Sequence, residues 1–213
     1  LKKTNDPREY LDWGITVTGG SEDNAPLFRT LALVNENRKQ NTKVLCMTLD
    51  DMQHRRLGLM RRGFARSRMW AQYGEGHKGL CLIFDKSALE AEIQRAASGH
   101  KNCYCGPVQY SDQNFDIEFN FDSMGETEAA VSCGVDSFIR SNVDQLFFTK
   151  LLDWRDEMEY RAMIYDDRPN PVFADIDSCL KGVILGPEFP AVYFPIIQQF
   201  GIQYSCQLGQ LKW

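Results

Sequence analysis

The sequence lacks several short motifs that identify large enzyme classes. Its 213 residues contain no G-x-x-x-x-G-K-[ST] phosphate-binding loop, no G-x-S-x-G nucleophile elbow and no H-E-x-x-H zinc motif. The sequence therefore lacks the residues required for P-loop nucleotide hydrolysis, for α/β-hydrolase chemistry and for zincin-type proteolysis.

Long apolar segments are also missing. The longest apolar run, residues 189–197, is interrupted by prolines and is much shorter than the about 20 residues of a membrane-spanning helix. We therefore expect no membrane partner. We also expect no signal peptide, because the first residues lack its apolar core. Because the chain begins at Leu1 (LKKTNDPRE) rather than at a methionine, we expect that sequence upstream is missing.

Paired cysteines are absent as well. The seven cysteines are an odd number with no C-x-x-C pair, which favours reduced thiols over a disulfide framework and predicts a cytoplasmic location. The segment HKNCYC, with His100, Cys103 and Cys105, is a weak zinc pattern, since zinc sites use two ligand pairs at defined spacing. We therefore expect no metal site.

Charge is distributed unevenly along the chain. The net charge of −5 argues against a general nucleic-acid binder. The segment between Lys101 and Arg140, hereafter the acidic segment, contains several Asp and Glu residues and no Lys or Arg. Six arginines lie close together at positions 55, 56, 61, 62, 66 and 68. Three interpretations of this basic run stay open: an amphipathic helix with a solvated face, a phosphate or polyanion site, and pairing with the chain's own acidic segment.

Hydrophobic periodicity predicts short strands mixed with helices of differing length. The apolar pattern is typical of a long helix over residues 135–152, while residues 111–133 read as a loop. Strands are predicted at residues 43–48, 79–84, 157–165, 180–185 and 202–206. With no linker composition to divide it, we predict one α+β domain over residues 1–213, with a mixed or split sheet and flanking helices.

The segment WRDEMEYR is the richest in chemistry. A strand over residues 157–165 would place Glu157, Glu159 and Arg161 on one face. Adjacent carboxylates raise each other's pKa, and a guanidinium lowers it. Two interpretations stay open: an edge strand with a solvated charged face, and a polar cleft in which a carboxylate orients a hydroxyl or stabilises developing positive charge.

Three further candidates lie near the middle of the chain. Trp70 and Tyr73 share one face of a predicted helix over residues 67–74. His77 follows in a glycine-bounded loop. A single histidine in a loop is usually solvated or structural. Next to two aromatic residues, it can equally form the wall of a ligand pocket.

Four motifs resemble those of a bacterial family catalogued as a domain of unknown function. They are N-D-P-x-E at residues 5–9, M-W-x-x-Y-x-x-x-H-x-G with a following strand at 69–85, K-x-x-x-W-x-x-E-x-E-Y-R at 150–161, and a strand ending in L-G at 183–186. The motifs cover most of the chain in the family's order. A His-Tyr-Thr signature, which members usually carry upstream, is absent here.

A second resemblance is to the ADP-ribosyltransferase fold, through the Glu-bearing segment at residues 159–166 and the aromatic pair after residues 43–48. It implies that NAD is a co-substrate, with its nicotinamide near Tyr73 and its pyrophosphate near the basic run. Glu159 would hold a ribose hydroxyl, and Glu157 would position the acceptor. The histidine that these enzymes carry on their first strand is not in this sequence.

These observations leave several functions open. The resemblance implies an ADP-ribosyltransferase-like protein acting on NAD and a macromolecular acceptor, in the role of a toxin or defence effector. The alternative is a non-enzymatic module that binds a ligand or protein. A carboxylate-dependent hydrolase or nuclease is the third. In the enzyme interpretation, Glu159, Tyr73 and His77 surround one pocket.

Overall fold

The computed structural model describes residues 15–18, 25–51, 58–59, 62–100, 102–113, 117–120 and 127–212. The N-D-P-x-E motif and the arginines at positions 55, 56 and 61 lie outside these residues. In chain order the elements are β1 Ile15–Thr18, α1 Ala25–Asn41, β2 Thr42–Thr48, α2 Ser67–Tyr73, β3 Leu80–Phe84, α3 Lys86–Ala96, β4 Asn102–Pro107, β5 Gln109–Tyr110, β6 Ile117–Asn120, α4 Glu128–Ser141, α5 Val143–Phe147, β7 Thr149–Lys150, β8 Glu159–Tyr165, β9 Leu180–Leu185, α6 Phe194–Gln203 and β10 Gln207–Gln210.

The strands form small, separate sheets. The orders are β1-β6, β10-β9-β3, β2-β8-β4 and β5-β7. Parallel pairs (β1-β6, β5-β7 and β9-β10) occur beside an antiparallel one (β3-β9). The predicted α+β class, with short strands in a split sheet and flanking helices, is confirmed.

The chain divides into two compact units. The first consists of Leu1–Met47 and Tyr104–Asn170, and the second of Thr48–Cys103 and Pro171–Trp213. The single domain over residues 1–213 stays a prediction. Among the described residues, no helix has both the length and the apolar character to cross a membrane.

The first unit is built around a helical core. Helix α1 packs against α4, which begins after Thr127, whose hydroxyl accepts a hydrogen bond from the backbone N–H of Ala130 at 3.2 Å. The buried side chains of this core come from α1, α4, α5, β8 and the residue that follows α5, and they are Val34, Val135, Ile139, Val143, Leu146, Phe147, Phe148, Met163 and Tyr165.

The predicted helix over residues 135–152 is wrong in its extent. Asn142 ends α4, its side-chain amide donating to the carbonyl of Phe138 at 2.9 Å, and the chain then continues as α5 and β7. The residues predicted as a loop at 111–133 contain β6 and the start of α4. Apolar periodicity continues across Asn142 because both helices face the same core, so the pattern could not reveal the break.

The second unit is a three-stranded sheet with α3 and α6 beside it. Asp85 caps α3 by accepting a hydrogen bond from Ala88 N–H at 2.9 Å. Val183, on the central strand β9, is fully buried. Gly201 on α6 lies against Leu208 of β10, with only 2.8 Å between an added Cβ and that side chain. The strand predicted at residues 202–206 is wrong, because α6 extends to Gln203 and β10 begins at Gln207.

Candidate functional site

Four charged side chains of the first unit meet in its interior. They are Lys150, Glu157, Glu159 and Arg161, hereafter the charged cluster. The Lys150 ammonium lies 2.8 Å from Oε2 of Glu157 and 3.0 Å from Oε2 of Glu159. The Arg161 guanidinium holds the Glu159 carboxylate through Nε at 2.5 Å and Nη2 at 3.1 Å. All four residues are between 3% and 6% exposed, so two negative and two positive charges balance in a place that excludes water.

A change of backbone direction brings the two carboxylates together. A short 3-10 helix, Leu152–Glu157, ends on the first carboxylate. Met158 has the left-handed conformation with φ of 45°, and β8 begins at Glu159. The prediction that a strand starts at Glu157 is therefore wrong. Both carboxylates reach the same ammonium because Met158 turns the chain between them, and not because they alternate along a strand.

Strand β8 is the central strand of its sheet, between β2 and β4, and every one of its residues is buried. The interpretation of this segment as an edge strand with a solvated charged face is therefore wrong. A run of apolar residues on both faces is expected for a central strand. Here Glu159 and Arg161 interrupt that run, and they compensate by pairing with each other.

The surroundings of each charge determine its protonation. Burial alone would raise the pKa of Glu159, but hydrogen bonds and charge from Arg161, a hydrogen bond from Cys46 and the charge of Lys150 lower it below its usual value. Burial likewise opposes the charge on Lys150, but the bonds to Glu157 and the charge of Glu159 outweigh it and raise the pKa of Lys150. Arg161 also donates to the carbonyl oxygen of Phe147. At neutral pH, Glu159 is therefore ionised and the Lys150 amine is protonated. A protonated amine has no free electron pair, so Lys150 cannot act as a nucleophile.

These shifts give stability a defined pH dependence. Since the folded pKa of Glu159 is lowered, its contribution is present above the unfolded pKa and is lost as pH falls through the folded value. Since the folded pKa of Lys150 is raised, its contribution is present below the unfolded pKa and is lost as pH rises through the folded value. Urea denaturation should show the free energy of unfolding falling below about pH 4 and above about pH 10. If the free energy of unfolding falls as steeply below about pH 4 in Glu159→Gln as in the parent, Glu159 does not have this role.

Three neighbours of the cluster were not predicted as site residues. The Tyr110 hydroxyl accepts a hydrogen bond from the Glu159 backbone N–H at 2.8 Å. The Trp154 ring has the Lys150 ammonium 5.2 Å from its centroid, within the range of a cation–π contact. Cys46 is exposed on β2 and hydrogen-bonds Glu159. Only Trp154 had a sequence signal, its fixed place in the 150–161 motif.

The other predicted site residues belong to the second unit. Trp70 is 3% exposed, and its indole N–H donates to the carbonyl of Phe64 at 2.6 Å, as a structural core residue would. Tyr73, on the same helix, is 54% exposed. Its neighbour His77 is half-buried, and its Nδ1 has no hydrogen-bond partner among the described residues. A pocket shared by these residues with Glu159 stays a prediction.

The loop that carries His77 has a strained backbone. Glu75, Gly76 and His77 have φ of 49°, 59° and 74°, the left-handed region that non-glycine residues rarely adopt. Gly74, Gly76 and Gly79 also match the G-x-G-x-x-G spacing of dinucleotide-binding proteins. That fingerprint leads from a strand into a helix, whereas this loop leads from α2 into β3. The spacing therefore carries no argument for a nucleotide here.

Two of the described arginines of the basic run, Arg62 and Arg66, bind residues of the second unit, to which they themselves belong. Arg62 pairs with Asp50 at 2.6 Å, and Arg66 donates to the Leu49 carbonyl at 2.7 Å and to the Thr48 hydroxyl. A 3-10 helix, Gly63–Ala65, lies between them, so a continuous helix through this part of the run is wrong. The acidic partner of Arg62 is Asp50, which is not part of the acidic segment. Phosphate binding by the arginines outside the described residues stays a prediction.

No metal centre is found in the described part of the chain, where no group of three or more His, Cys, Asp or Glu side chains could hold an ion. The segment with His100, Cys103 and Cys105 does not assemble such a group, and all seven cysteines are free thiols. A metal-dependent hydrolase or nuclease would need several acidic ligands at one place. That function stays a prediction without a described site.

Residues 69–162 match the profile of a family described as Protein of unknown function (DUF2971). The chain carries a DUF2971 domain. The match begins at the methionine of the M-W-x-x-Y motif and ends just after the E-x-E-Y-R motif, so the predicted family membership is confirmed for this range. No curated protein matches the chain, and no solved structure does. The DUF2971 range includes every residue of the charged cluster.

Proposed function

We propose that the DUF2971 domain consumes NAD by breaking the glycosidic bond between nicotinamide and ribose, as an ADP-ribosyltransferase or NAD glycohydrolase does. The observation that carries the proposal is the pair Glu157 and Glu159, which are separated by one left-handed residue and converge on one ammonium at 2.8 and 3.0 Å. Such a pair, at the start of a central strand, offers two carboxylates to one small group. Ribose hydroxyls suit it, because they donate to carboxylate oxygens.

The chemistry requires an ionised carboxylate. When the bond between ribose C1 and the nicotinamide nitrogen breaks, its electron pair neutralises the pyridinium, and positive charge develops on the ribose. Water or an acceptor nucleophile then bonds to C1 and releases a proton. Glu159 would stabilise the developing charge, since its lowered pKa keeps it ionised at neutral pH. Glu157 would orient the attacking group.

Substrate entry would require a rearrangement. Glu157 and Glu159 are 3% and 6% exposed, and Lys150 already occupies the position between them. A ribose would have to displace the Lys150 ammonium, while Arg161 keeps Glu159 ionised and fixed. The proposal includes the cytoplasm as the location, because free thiols suit a reducing compartment that contains NAD.

The decisive test is nicotinamide release from NAD by the full-length protein and by its Glu159→Gln variant. The glutamine keeps the shape of the side chain and removes its charge. We expect turnover to fall about 10²- to 10³-fold, because one preorganised electrostatic contact to the transition state is lost. Release of nicotinamide is followed by chromatography.

Glu92→Gln is the matched control. Glu92 is a buried carboxylate of α3 that accepts hydrogen bonds from Arg95 and Ser178, outside the charged cluster. It reports what the loss of one buried carboxylate does to the fold alone. If the parent releases no nicotinamide at millimolar NAD, or if both variants lose turnover equally, the proposal is wrong.

A second candidate is a binding module without catalysis. It is favoured by the pairing of both carboxylates with cations inside a buried, charge-balanced cluster. Buried networks of this kind can serve to fix one arrangement of a fold. In that case NAD neither binds nor reacts, and Glu159→Gln lowers stability alone.

A further inference from the structure

Tyr110 is held rigidly beside the charged cluster. Its backbone neighbours are bonded on both sides, with Gln109 N–H donating to the Phe148 carbonyl at 2.7 Å and Ser111 N–H donating to the Lys150 carbonyl at 3.0 Å. In the parallel β5-β7 pair, Tyr110 is in register with Lys150. The two side chains therefore leave the sheet on the same side. The phenol is fixed next to the ammonium that bridges the carboxylates.

The Tyr110 hydroxyl accepts a hydrogen bond, but it donates none to a described residue. Oη accepts from the Glu159 N–H at 2.8 Å, and no described residue accepts the hydroxyl hydrogen. The charges around it keep the phenol protonated, since burial and the nearby Glu159 and Glu157 raise the pKa of Tyr110. Unlike the four members of the charged cluster, Tyr110 is only half-buried. A ligand that approaches the cluster from this side meets a fixed O–H donor.

We propose that Tyr110 binds the ligand of this site by donating its hydroxyl hydrogen to a neutral oxygen, that of a sugar hydroxyl. The inference rests on the proposed consumption of NAD and assigns the ribose contact to a particular residue.

The charge balance selects a hydroxyl over a phosphate. An anionic phosphate needs cationic donors, and the nearby cations, Lys150 and Arg161, are already paired with carboxylates. Beside Glu157 and Glu159 a phosphate would also meet like charge. A sugar hydroxyl suits both groups, because it can accept a hydrogen bond from the Tyr110 hydroxyl and donate one to a carboxylate.

The test combines Tyr110→Phe with NAD analogues whose nicotinamide ribose lacks the 2′- or the 3′-hydroxyl. The dissociation constant of ADP-ribose is measured by calorimetry, and kcat and KM are measured for NAD and both analogues. We expect Tyr110→Phe to weaken ADP-ribose about tenfold, as loss of one hydrogen bond does. We also expect the parent to disfavour one deoxy analogue by about tenfold and the variant to lose that discrimination.

Loss of discrimination separates ligand binding from a structural role. If Tyr110 only held Glu159 N–H, the variant would lower kcat for NAD and both analogues alike. Tyr104→Phe makes the same chemical change on neighbouring β4, against the core, and should leave every value unchanged.

The outcomes separate the two proposals. Turnover of NAD with unchanged discrimination in Tyr110→Phe overturns the Tyr110 inference alone. Binding of ADP-ribose without turnover overturns the proposed function, and the effect of Tyr110→Phe on that binding still decides the inference. If the parent binds neither NAD nor ADP-ribose, both proposals are wrong.

Discussion

Replacing Lys150 by methionine is expected to lower the free energy of unfolding by about 3–5 kcal/mol, the cost of removing one partner from a buried ion pair. The methionine keeps most of the apolar stem, so the change isolates the charge. The two carboxylates that lie 2.8 and 3.0 Å from this ammonium would then face each other without it, inside the first unit. Urea denaturation at neutral pH measures the effect.

Two comparison variants sharpen this result. Lys86→Met removes an exposed lysine that pairs with Glu90 at 3.5 Å, and we expect a change below about 1 kcal/mol, because exposed ion pairs contribute little. Adding Glu157→Gln to Lys150→Met should restore part of the stability, because one of the two carboxylates that faced the lost ammonium then no longer carries a charge. If Lys150→Met is no worse than Lys86→Met, the described cluster does not exist in solution.

Replacing Gly186 by alanine is expected to lower the free energy of unfolding by about 3 kcal/mol, the upper end for overpacking. A Cβ at this position would lie 2.1 Å from the carbonyl oxygen of His77 and 2.8 Å from its carbon. Both are backbone atoms, so no side-chain rotation relieves the clash. The same oxygen accepts the Glu188 N–H at 3.2 Å, and amide exchange of Glu188 should therefore accelerate in the variant.

Gly106→Ala is the control for this substitution. A Cβ there would meet the nearest ring atoms of Phe148 at 3.7 Å, an ordinary van der Waals contact. We expect this variant to stay close to the stability of the parent. Equal stability of Gly186→Ala and Gly106→Ala would contradict the close approach between the L-G turn and the His77 loop.

These two expected results also guide the functional tests. Because Lys150→Met should strongly destabilise the protein, loss of NAD turnover in this variant would not separate chemistry from folding. Glu159→Gln keeps the size of the side chain and, with Glu92→Gln beside it, separates charge from folding. The same reasoning makes Tyr110→Phe preferable to an alanine substitution.

Much of the fold was predictable from local pattern. The strand at residues 180–185 matches β9, and β3 lies within the strand predicted at residues 79–84, because short apolar runs bounded by polar or glycine residues have few other solutions. The helix predicted over residues 135–152 was only partly right. Asn142 ends α4 through backbone geometry, which hydrophobic periodicity does not record.

Three of the four residues of the charged cluster were predicted from the sequence, whereas Lys150 and the arrangement of the cluster were not. Glu157, Glu159 and Arg161 stood out because two carboxylates and a guanidinium alternate along the sequence and would share one face of a strand. Tyr110 carried no such signal, since a tyrosine in a short strand is ordinary. Its role follows from the pairing of β5 with β7, a contact between residues about forty positions apart.

The sequence by itself determined the α+β class, the family of residues 69–162 and the identity of the carboxylates, because each is written in local composition, spacing or motif. Only the tertiary structure decided that β8 is a central, buried strand and that Lys150 bridges Glu157 and Glu159. The physical reason is that burial depends on which segments cover a strand. The ionisation of a carboxylate likewise depends on which cations the fold brings within about 3 Å of it.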